Sequence, residues 1–252
     1  MFLAALTRSG AGREVSPPSP LPTPGSRPPI VGALLLFLYA APFSFAYLGL
    51  TVGTGALILF GAVQLTMIGA GLRAGEQPPA REWTGLGIAV AGLVGLTLPG
   101  LAAPPPAAAG LMTLAGVAWG AYSLLGRASK TPLADTTRSF LLAAPFGVGL
   151  AAALLAVRPA TLGREGLLYA GLSGALASGA GYAAWYAVLP RLSATRAGTI
   201  QLAVPVLAAF AGAALLGERI SLRLVTCGAA ILGGIALAAS ARPRHRMPQP
   251  RD

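Results

Sequence analysis

The groups in this sequence that could bind a small molecule are neutral amides and aromatic rings inside long apolar stretches. Gln201 stands four residues before Pro205. Because proline has no N–H, it leaves the carbonyl of Gln201 without its helical hydrogen bond. A freed carbonyl and a side-chain amide are costly in a bilayer unless they face a polar cavity. Gln201 and Pro205 are therefore the first candidates for a solute site, and Gln64 offers a second amide in a matching stretch.

Aromatic side chains recur at helical spacing in two of the apolar stretches. One helical face would carry four candidate residues at i, i+4, i+7 and i+8: Ser178, Tyr182, Trp185 and Tyr186. Trp119 and Tyr122 share a face in an earlier stretch. Two interpretations stay open. These residues line a solute cavity, or else Trp185 and Tyr186 form a belt at the lipid headgroups while Trp119 and Tyr122 pack between helices.

Groups for catalysis or metal binding are missing from the sequence. It has no Gly-Lys-Ser/Thr phosphate loop, no His-Glu-x-x-His helix and no paired carboxylates within one segment. The single cysteine, Cys227, excludes an internal disulfide and a cysteine metal cluster. The single histidine, His245, lies in a basic tail. We therefore expect no enzyme activity, no cofactor and no metal. Without a nucleotide-binding domain, transport would run on a gradient, on exchange or on downhill flow.

The composition is that of a membrane protein. Hydrophobic residues make up 55% of the chain and charged residues 10%, whereas soluble domains carry about 25% charged residues. The formal net charge is +11, but the basic residues are scattered singly between apolar runs. Because no basic stripe with interleaved aromatic residues forms, a nucleic-acid partner is not expected.

Eight apolar blocks follow residue 29, each near the roughly 20 residues that a bilayer-spanning helix needs. They lie at 30–50, 54–73, 83–101, 107–126, 139–157, 167–189, 196–216 and 222–240. In the fourth block, Gly116, Gly120 and Ser123 form a face of small residues that predicts close helix contact. The sequence predicts an all-α integral membrane protein with about eight transmembrane helices.

The apolar blocks are duplicated. The stretch 50–95, moved forward by 142 positions, aligns without a gap on 192–237. The turn Gly75-Glu76 then meets Gly217-Glu218, and Gly92 meets Gly234. Both glutamates are interpreted as capping or solvated turn residues. Duplicated helical units are typical of transporters whose site lies between the repeats.

The basic residues predict the orientation in the membrane. With the C-terminus in the cytoplasm, 14 of the 18 Lys and Arg residues lie on the cytoplasmic side. The other four are Arg158, Arg164, Arg219 and Arg223. This bias follows the positive-inside rule and predicts that both termini are cytoplasmic. The same topology makes the two repeats inverted with respect to each other.

Several short motifs of the second copy resemble the EamA-type repeat of the drug/metabolite transporter superfamily. In chain order they are 118–120 (Ala-Trp-Gly), 193–198 (Ser-Ala-Thr-Arg-Ala-Gly), 202–205 (Leu-Ala-Val-Pro), 216–218 (Leu-Gly-Glu) and 233–234 (Gly-Gly). The first copy keeps Gly75-Glu76 and Gly92, but Val63 or Gln64 stands where the family usually has its proline. The resemblance covers about 30–240. It implies two inverted halves of five spans each and the export of metabolites, amino acids or drugs.

This chain departs from that pattern because its first copy has three spans. The expected organisation is therefore a disordered Pro/Ser-rich cytoplasmic tail at 1–29, a first repeat of three spans at 30–101, a second of five spans at 106–240 and a basic cytoplasmic tail at 241–252. A misassigned start codon or an upstream frameshift would explain the lack of the first two spans.

The function expected from these features is secondary transport of a small organic solute across the inner membrane, by alternating access between the repeats. The expected partners are that solute, the lipid bilayer and, in a homodimer, a second copy of the chain. Two alternatives belong to other classes. One is a non-transporting remnant or helical partner subunit, and the other is an intramembrane enzyme, which would need polar residues clustered at one membrane face.

Overall fold

The regular structure of the protein is helical throughout the part described by the structure, a computed structural model that covers residues 29–98, 103–157, 163–216 and 220–241. The predicted tails and Glu218 lie outside these ranges, apart from residues 29 and 241. The α-helices are α1 Pro29–Ala46, α2 Val52–Arg73, α3 Ala80–Thr97, α4 Pro106–Arg127, α5 Pro132–Val157, α6 Arg164–Gly171, α7 Gly179–Val188, α8 Ala194–Gln201, α9 Ala203–Leu216 and α10 Leu222–Ala239.

Six helical segments of the described ranges are long and apolar enough to cross a bilayer. They are Pro29–Ala46, Val52–Arg73, Pro106–Arg127, Pro132–Val157, Ala194–Ala211 and Leu222–Ala239. Of the other two predicted blocks, the third forms α3, whose first turn is made polar by Arg81 and Glu82. The sixth is interrupted by a π-helical segment. The protein is thus an all-α membrane protein, and a count of eight spans stays a prediction.

Two of the predicted blocks contain irregular helix. The sixth runs from α6 through a π-helical turn, Leu172–Ser178, into α7. The seventh is divided at Leu202 into α8 and α9, one turn before Pro205. The helix breaks there because a proline at 205 cannot bond to the carbonyl of Gln201. The equivalent position of the first copy holds Val63, and α2 continues through it without a break.

Helix boundaries recur at the spacing of the sequence repeat. Helices α2 and α8 begin at Val52 and Ala194, which are 142 positions apart. Helices α3 and α10 begin at Ala80 and Leu222, again 142 apart. The N-cap residues Thr51 and Ser193 are equivalent too, and each side chain accepts a hydrogen bond from the N–H three residues on. The same local signal therefore starts the same helix in both copies.

The two copies meet along the glycines of α3 and α10, which we call the glycine seam. A Cβ built on Gly85 would lie 2.4 Å from the carbonyl oxygen of Gly234, and one on Gly92 would lie 3.0 Å from the carbonyl oxygen of Cys227. The contacts run in opposite directions along the two helices, so these helices are antiparallel. Adding 142 to Gly85 gives Cys227, and subtracting it from Gly234 gives Gly92. The pair of contacts is thus repeated under exchange of the copies, as an inverted pseudo-twofold axis requires.

Helix α4 lies at the centre of the second contact between the copies and packs against α1 and α2. Its small residues permit this, as predicted. A Cβ on Gly116 would lie 2.6 Å from the carbonyl oxygen of Leu59, and one on Gly120 would lie 2.8 Å from the Cβ of Thr66. Ser123, on the same face, is fully buried. Close approach of α4 to α2 brings the middle of α4 next to α8, where the polar candidates lie.

A candidate solute site between the two repeats

The polar centre of the site is a contact between the predicted residues Trp119 and Gln201. Trp119 lies in the second half of α4, and its indole Nε1–H donates a hydrogen bond to Oε1 of Gln201, the last residue of α8. The side-chain amide of Gln201 in turn donates to Sδ of Met67 at 3.0 Å and to the carbonyl of Ala197 at 3.3 Å. Gln201 is 5% exposed. Its amide thus joins α4, α8 and, through Met67, α2 of the first repeat.

Aromatic rings from both repeats surround this contact. The Trp119 ring centroid lies 5.0 Å from that of Tyr39 on α1 and 5.3 Å from that of Tyr182 on α7. Tyr122 packs edge-on against Tyr186 at 5.9 Å, and its hydroxyl lies 3.5 Å from that of Thr136 on α5. Offset and edge-on pairs of this kind are favourable ring arrangements. We call these rings, Tyr39, Trp119, Tyr122, Tyr182 and Tyr186, the aromatic cluster.

Gln64 forms a second polar contact between the repeats, one turn of α8 from the first. Its amide Nε2 donates to the carbonyl of Gly198 at 2.7 Å. Its Oε1 has no hydrogen-bond partner among the described residues. It would lie 2.9 Å from a Cβ built on Gly198, so only a glycine lets the amide approach this closely. Gln64 thus presents a buried acceptor oxygen beside the α8 backbone.

Three predicted site residues lie at the edge of the cluster or away from it. Trp185 packs against the same apolar core as the aromatic cluster. Pro205 lies on α9, beyond the break at Leu202. The hydroxyl of Ser178 donates to the carbonyl of Ser173, five residues back. That is the spacing of a π-helix, and Ser178 is the last residue of the π-helical turn, from which α7 continues toward Tyr182. A place for Ser178 in a solute site stays a prediction.

The headgroup-belt interpretation is wrong for Tyr186. Its side chain is 1% exposed and lies inside the aromatic cluster. A belt residue would instead place its hydroxyl at the membrane surface. Trp119 and Tyr122 belong to inter-helix ring contacts, and the choice between packing and cavity lining stays open for both.

Tyr39 belongs to the site and was not predicted from the sequence. A usable signal exists, because Tyr39, Phe43 and Tyr47 follow one another at intervals of four residues in one apolar block. Their rings pack in series, with centroids 5.6 Å apart for Tyr39 and Phe43 and 4.9 Å apart for Phe43 and Tyr47. This aromatic row leads from the cluster toward the end of α1.

Charged residues gather at the opposite end of α1, where α2 and α4 end and α3 and α8 begin. The Glu76 carboxylate accepts hydrogen bonds from the backbone N–H groups of Ala194 and Thr195, at 2.8 and 3.2 Å, and from the hydroxyl of Thr195 at 3.1 Å. Arg127, at the end of α4, donates to the same carboxylate at 3.0 Å. The predicted capping role of Glu76 is confirmed, and the helix that it caps belongs to the other repeat.

A second ion pair links the repeats at this charged end. Arg196 on α8 donates from Nε to the Glu82 carboxylate on α3 at 3.3 Å and from Nη2 to the carbonyl of Ala241. The Glu82 side chain is 4% exposed and that of Arg196 is 20% exposed. Burial makes such a pair costly to break from one side, because the remaining charge keeps no partner.

A groove of about 770 Å³ lies between the start of α5 and the end of α7. Its walls include Thr131 and Thr137 on one side and Arg191 on the other, and Tyr186 forms part of its floor. Tyr186 therefore lies between this groove and the other rings of the aromatic cluster. Within the described ranges, no group of His, Cys, Asp and Glu side chains is placed to hold a metal ion.

Comparison with known proteins gives a family match over the second half of the chain and similar proteins over most of its length. The model of the EamA-like transporter family matches residues 107–240. The chain is also 52% identical over 212 residues to the uncharacterized protein PA1977 of Pseudomonas aeruginosa, covering 84% of this chain and 73% of that protein. A crystal structure of a protein with 21% identity matches with a TM-score of 0.68, over 84% of this chain and 76% of its own chain.

The apolar helices and the family match define a multi-pass membrane protein of the transporter class. The chain belongs to the EamA-like transporter family. It is thus a transporter of the drug/metabolite type, and membership of this family implies a small-molecule solute and contact with membrane lipid.

Proposed function

We propose that this protein is a secondary transporter that exports a small organic solute across the cytoplasmic membrane. The observation that carries the proposal is the hydrogen bond between Trp119 and Gln201, surrounded by rings from both repeats. Trp119 is the fourteenth residue of a helix of 22, so the contact lies near mid-membrane. Transporter sites commonly lie at this depth, between repeats that move against each other.

The chemistry of the site favours an organic solute with an apolar body and a hydrogen-bonding group. Ring faces of the aromatic cluster suit the apolar body. The Gln201 amide, the Trp119 indole and the unpaired Gln64 oxygen suit the polar group. In the described structure the rings pack against one another, so the proposal requires them to separate when a solute enters.

Alternating access supplies that movement. The charged end holds the two repeats together through Glu76 and through the Glu82–Arg196 pair. Opening toward that end breaks these contacts, whereas opening toward the other end leaves them intact. With both termini cytoplasmic, as the distribution of basic residues predicts, the charged end faces the cytoplasm.

The proposal is tested by efflux from cells and by uptake into proteoliposomes, with radiolabelled amino acids and fluorescent organic dyes as probes. The single variant Gln201→Leu is unsuitable, because it leaves the Trp119 N–H unpaired and thereby also destabilises the protein. The decisive variant is therefore the double change Trp119→Phe with Gln201→Leu, because replacing both partners by apolar groups is nearly neutral for stability. Thr113→Val, on an exposed face of α4, is the matched control.

We expect the double variant to fold and to lose transport at least about tenfold, which is roughly 1.4 kcal/mol of solute binding. Thr113→Val should transport like the parent. Full transport by the double variant would contradict the proposed site. If the parent chain moves none of the probes, the alternative of a helical partner subunit gains support.

A further inference from the structure

Glu76 contacts both of the helices whose side chains form the polar centre of the site. Its Oε1 accepts hydrogen bonds from Arg127, the last residue of α4, and from the N–H of Ala194, the first residue of α8. Helix α4 carries Trp119 and helix α8 carries Gln201. One carboxylate thus holds the ends of the two helices that meet in the Trp119–Gln201 contact.

The turn after α2 is built to place this carboxylate. Gly75 has a φ of 84°, a backbone region that is open to glycine and strained for other residues. The N–H of Gly75 bonds to the carbonyl of Leu72, and the N–H of Glu76 bonds to the carbonyl of Gly71. These two bonds form a Schellman motif, which ends α2 and fixes the direction of the next residue. Glu76 therefore leaves the turn in a defined direction, toward the start of α8.

Space for the carboxylate depends on another glycine. A Cβ built on Gly71 would lie 2.5 Å from Oε2 of Glu76 and 3.3 Å from the Cβ of Ala194. The Glu76 side chain is 17% exposed, so little solvent competes for its hydrogen bonds. A negative group at a helix N-terminus also interacts favourably with the helix dipole. Removing or displacing this carboxylate therefore leaves the N–H groups of Ala194 and Thr195 without their acceptor, while Ser193 still caps the N–H of Arg196.

The consequence reaches Gln201 because α8 is short. It has eight residues between its capped start and its end at Gln201, where the break at Leu202 separates it from α9. Such a helix is held by its contacts rather than by its own propensity. A shift at Ala194 is thus transmitted to Gln201, two turns away.

We propose that Glu76 is a positioning residue that sets the Trp119–Gln201 contact by fixing α8 against α4. This inference rests on the proposed function for its biological meaning, but its geometry can be tested without a transported solute.

The test uses the full chain in lipid nanodiscs with Trp119 as its sole tryptophan, after Trp83→Phe and Trp185→Phe. Quenching of Trp119 fluorescence by acrylamide is measured below the unfolding temperature of each variant. We expect Glu76→Gln to raise the quenching constant of Trp119 about two- to tenfold. The reason is that the variant loses the coupling between Glu76 and the Trp119–Gln201 contact. Glu76→Asp should restore part of the protection, because it keeps the charge.

A pair of glycine variants separates position from charge. Gly71→Ala displaces the Glu76 carboxylate without changing any charge, so it should raise Trp119 quenching as Glu76→Gln does. Gly69→Ala is the matched control on the same helix, since a Cβ there meets nothing within 4 Å. Equal quenching in both glycine variants would overturn the proposal.

A charge exchange separates capping from ion pairing. Glu76→Arg with Arg127→Glu keeps opposite charges at both positions but places a cation at the start of α8, where the helix dipole disfavours it. We expect Trp119 to stay exposed to quencher in this double variant. If quenching of Trp119 instead returned to the parent value, the ion pair alone would set the Trp119–Gln201 contact. That result would overturn the role of Glu76 as the cap of α8.

The outcomes for the two proposals are distinguishable. Altered Trp119 quenching in a protein that transports no probe retains the positioning role and contradicts the transport function. Normal transport in the parent, with unaltered quenching in Glu76→Gln, retains the function and overturns the positioning role. A lower unfolding temperature with unaltered quenching shows a purely structural role and overturns the proposal as well.

Discussion

The two contacts between the repeats differ in the share of backbone and side-chain atoms that meet in them. Along the glycine seam, backbone meets backbone, and Gly85 and Gly234 leave no room for a methyl group. Between α4, α2 and α8, Gly116 also meets the α2 backbone, but the rest of the contact is made by side chains, namely the Gln64 and Gln201 amides and the aromatic cluster. Backbone contacts cannot adapt without separating two helices. Side-chain contacts can adapt by changing rotamers.

This difference assigns separate mechanical roles to the two regions. A close-packed helix pair transmits force with little deformation, since packed interiors have low compressibility. A set of rings joined by a few hydrogen bonds can open locally. We infer that the glycine seam is the axis about which the repeats turn and that the aromatic cluster is the part that opens.

The largest predicted effect comes from a substitution in the glycine seam. Gly85→Ala places a Cβ within 3 Å of backbone atoms of α10, and these atoms cannot move without separating the helices. Overpacking usually costs about 1–3 kcal/mol, and we expect this variant to exceed that range. The measurement is unfolding in mixed detergent micelles, together with the monodisperse yield.

Gly87→Ala is the matched control, because a Cβ at Gly87, on the same helix, meets nothing within 4 Å. It should unfold like the parent or slightly later, since alanine favours helix over glycine by about 1 kcal/mol. A similar loss in both variants would mean that the seam is not close-packed.

A smaller effect is expected where the two regions join. The pair Glu82–Arg196 links α3 of the glycine seam to α8 of the aromatic region. Arg196→Gln leaves the Glu82 carboxylate buried without its partner, and losses of about 3–5 kcal/mol are typical of fully buried pairs. We expect a loss at the lower end of this range, because the Arg196 side chain is partly exposed. Adding Glu82→Gln should recover much of the loss in the same unfolding assay.

The exposed pair Asp135–Arg138 provides the comparison for that measurement. Its atoms lie 3.7 Å apart, and its side chains are 47% and 49% exposed. Arg138→Gln should therefore change the free energy of unfolding by at most about 1 kcal/mol. Equal losses of unfolding free energy in Arg138→Gln and Arg196→Gln would contradict a special role for the Glu82–Arg196 pair.

The smallest effect tests how adaptable the aromatic cluster is. The Tyr186 hydroxyl is buried near the hydroxyls of Tyr122 and Thr136, but among the described residues it has no hydrogen bond of regular geometry. Tyr186→Phe removes only this oxygen, so we expect the free energy of unfolding to change by less than about 0.5 kcal/mol or to rise slightly. A loss above about 1 kcal/mol would reveal a hydrogen bond to the hydroxyl.

Local features of the fold could be predicted from the sequence because their causes are local. The apolar blocks predicted the helices, and Pro205 explains the break at Leu202. The small face with Gly116 and Gly120 predicted the close contact of α4 with another helix. In the site, Trp119 and Gln201 were selected separately as polar or aromatic groups in apolar surroundings, and the structure brings them together.

The remaining features depend on tertiary contacts that no local pattern encodes. The capping role of Glu76 was predicted, but its partner lies 118 residues away at Ala194. The π-helical turn at Leu172–Ser178 was not predicted, because the apolar block that contains it carries no proline at that point. Tyr39 was missed because a ring in an apolar helix becomes part of a site only when another helix brings Trp119 beside it.

The proline that divides the seventh block adds a difference between the matching helices of the two copies, beyond their different numbers of spans. Position 63 holds valine inside the continuous α2, whereas its counterpart at 205 holds proline after a break. Identical halves could exchange shapes with no difference in energy, so their inward-open and outward-open forms would be equally populated. In this protein only the second copy has such a break, between α8 and α9. We infer that, in the proposed transport cycle, the inward-open and outward-open forms differ in free energy, and that a solute or a gradient supplies the difference.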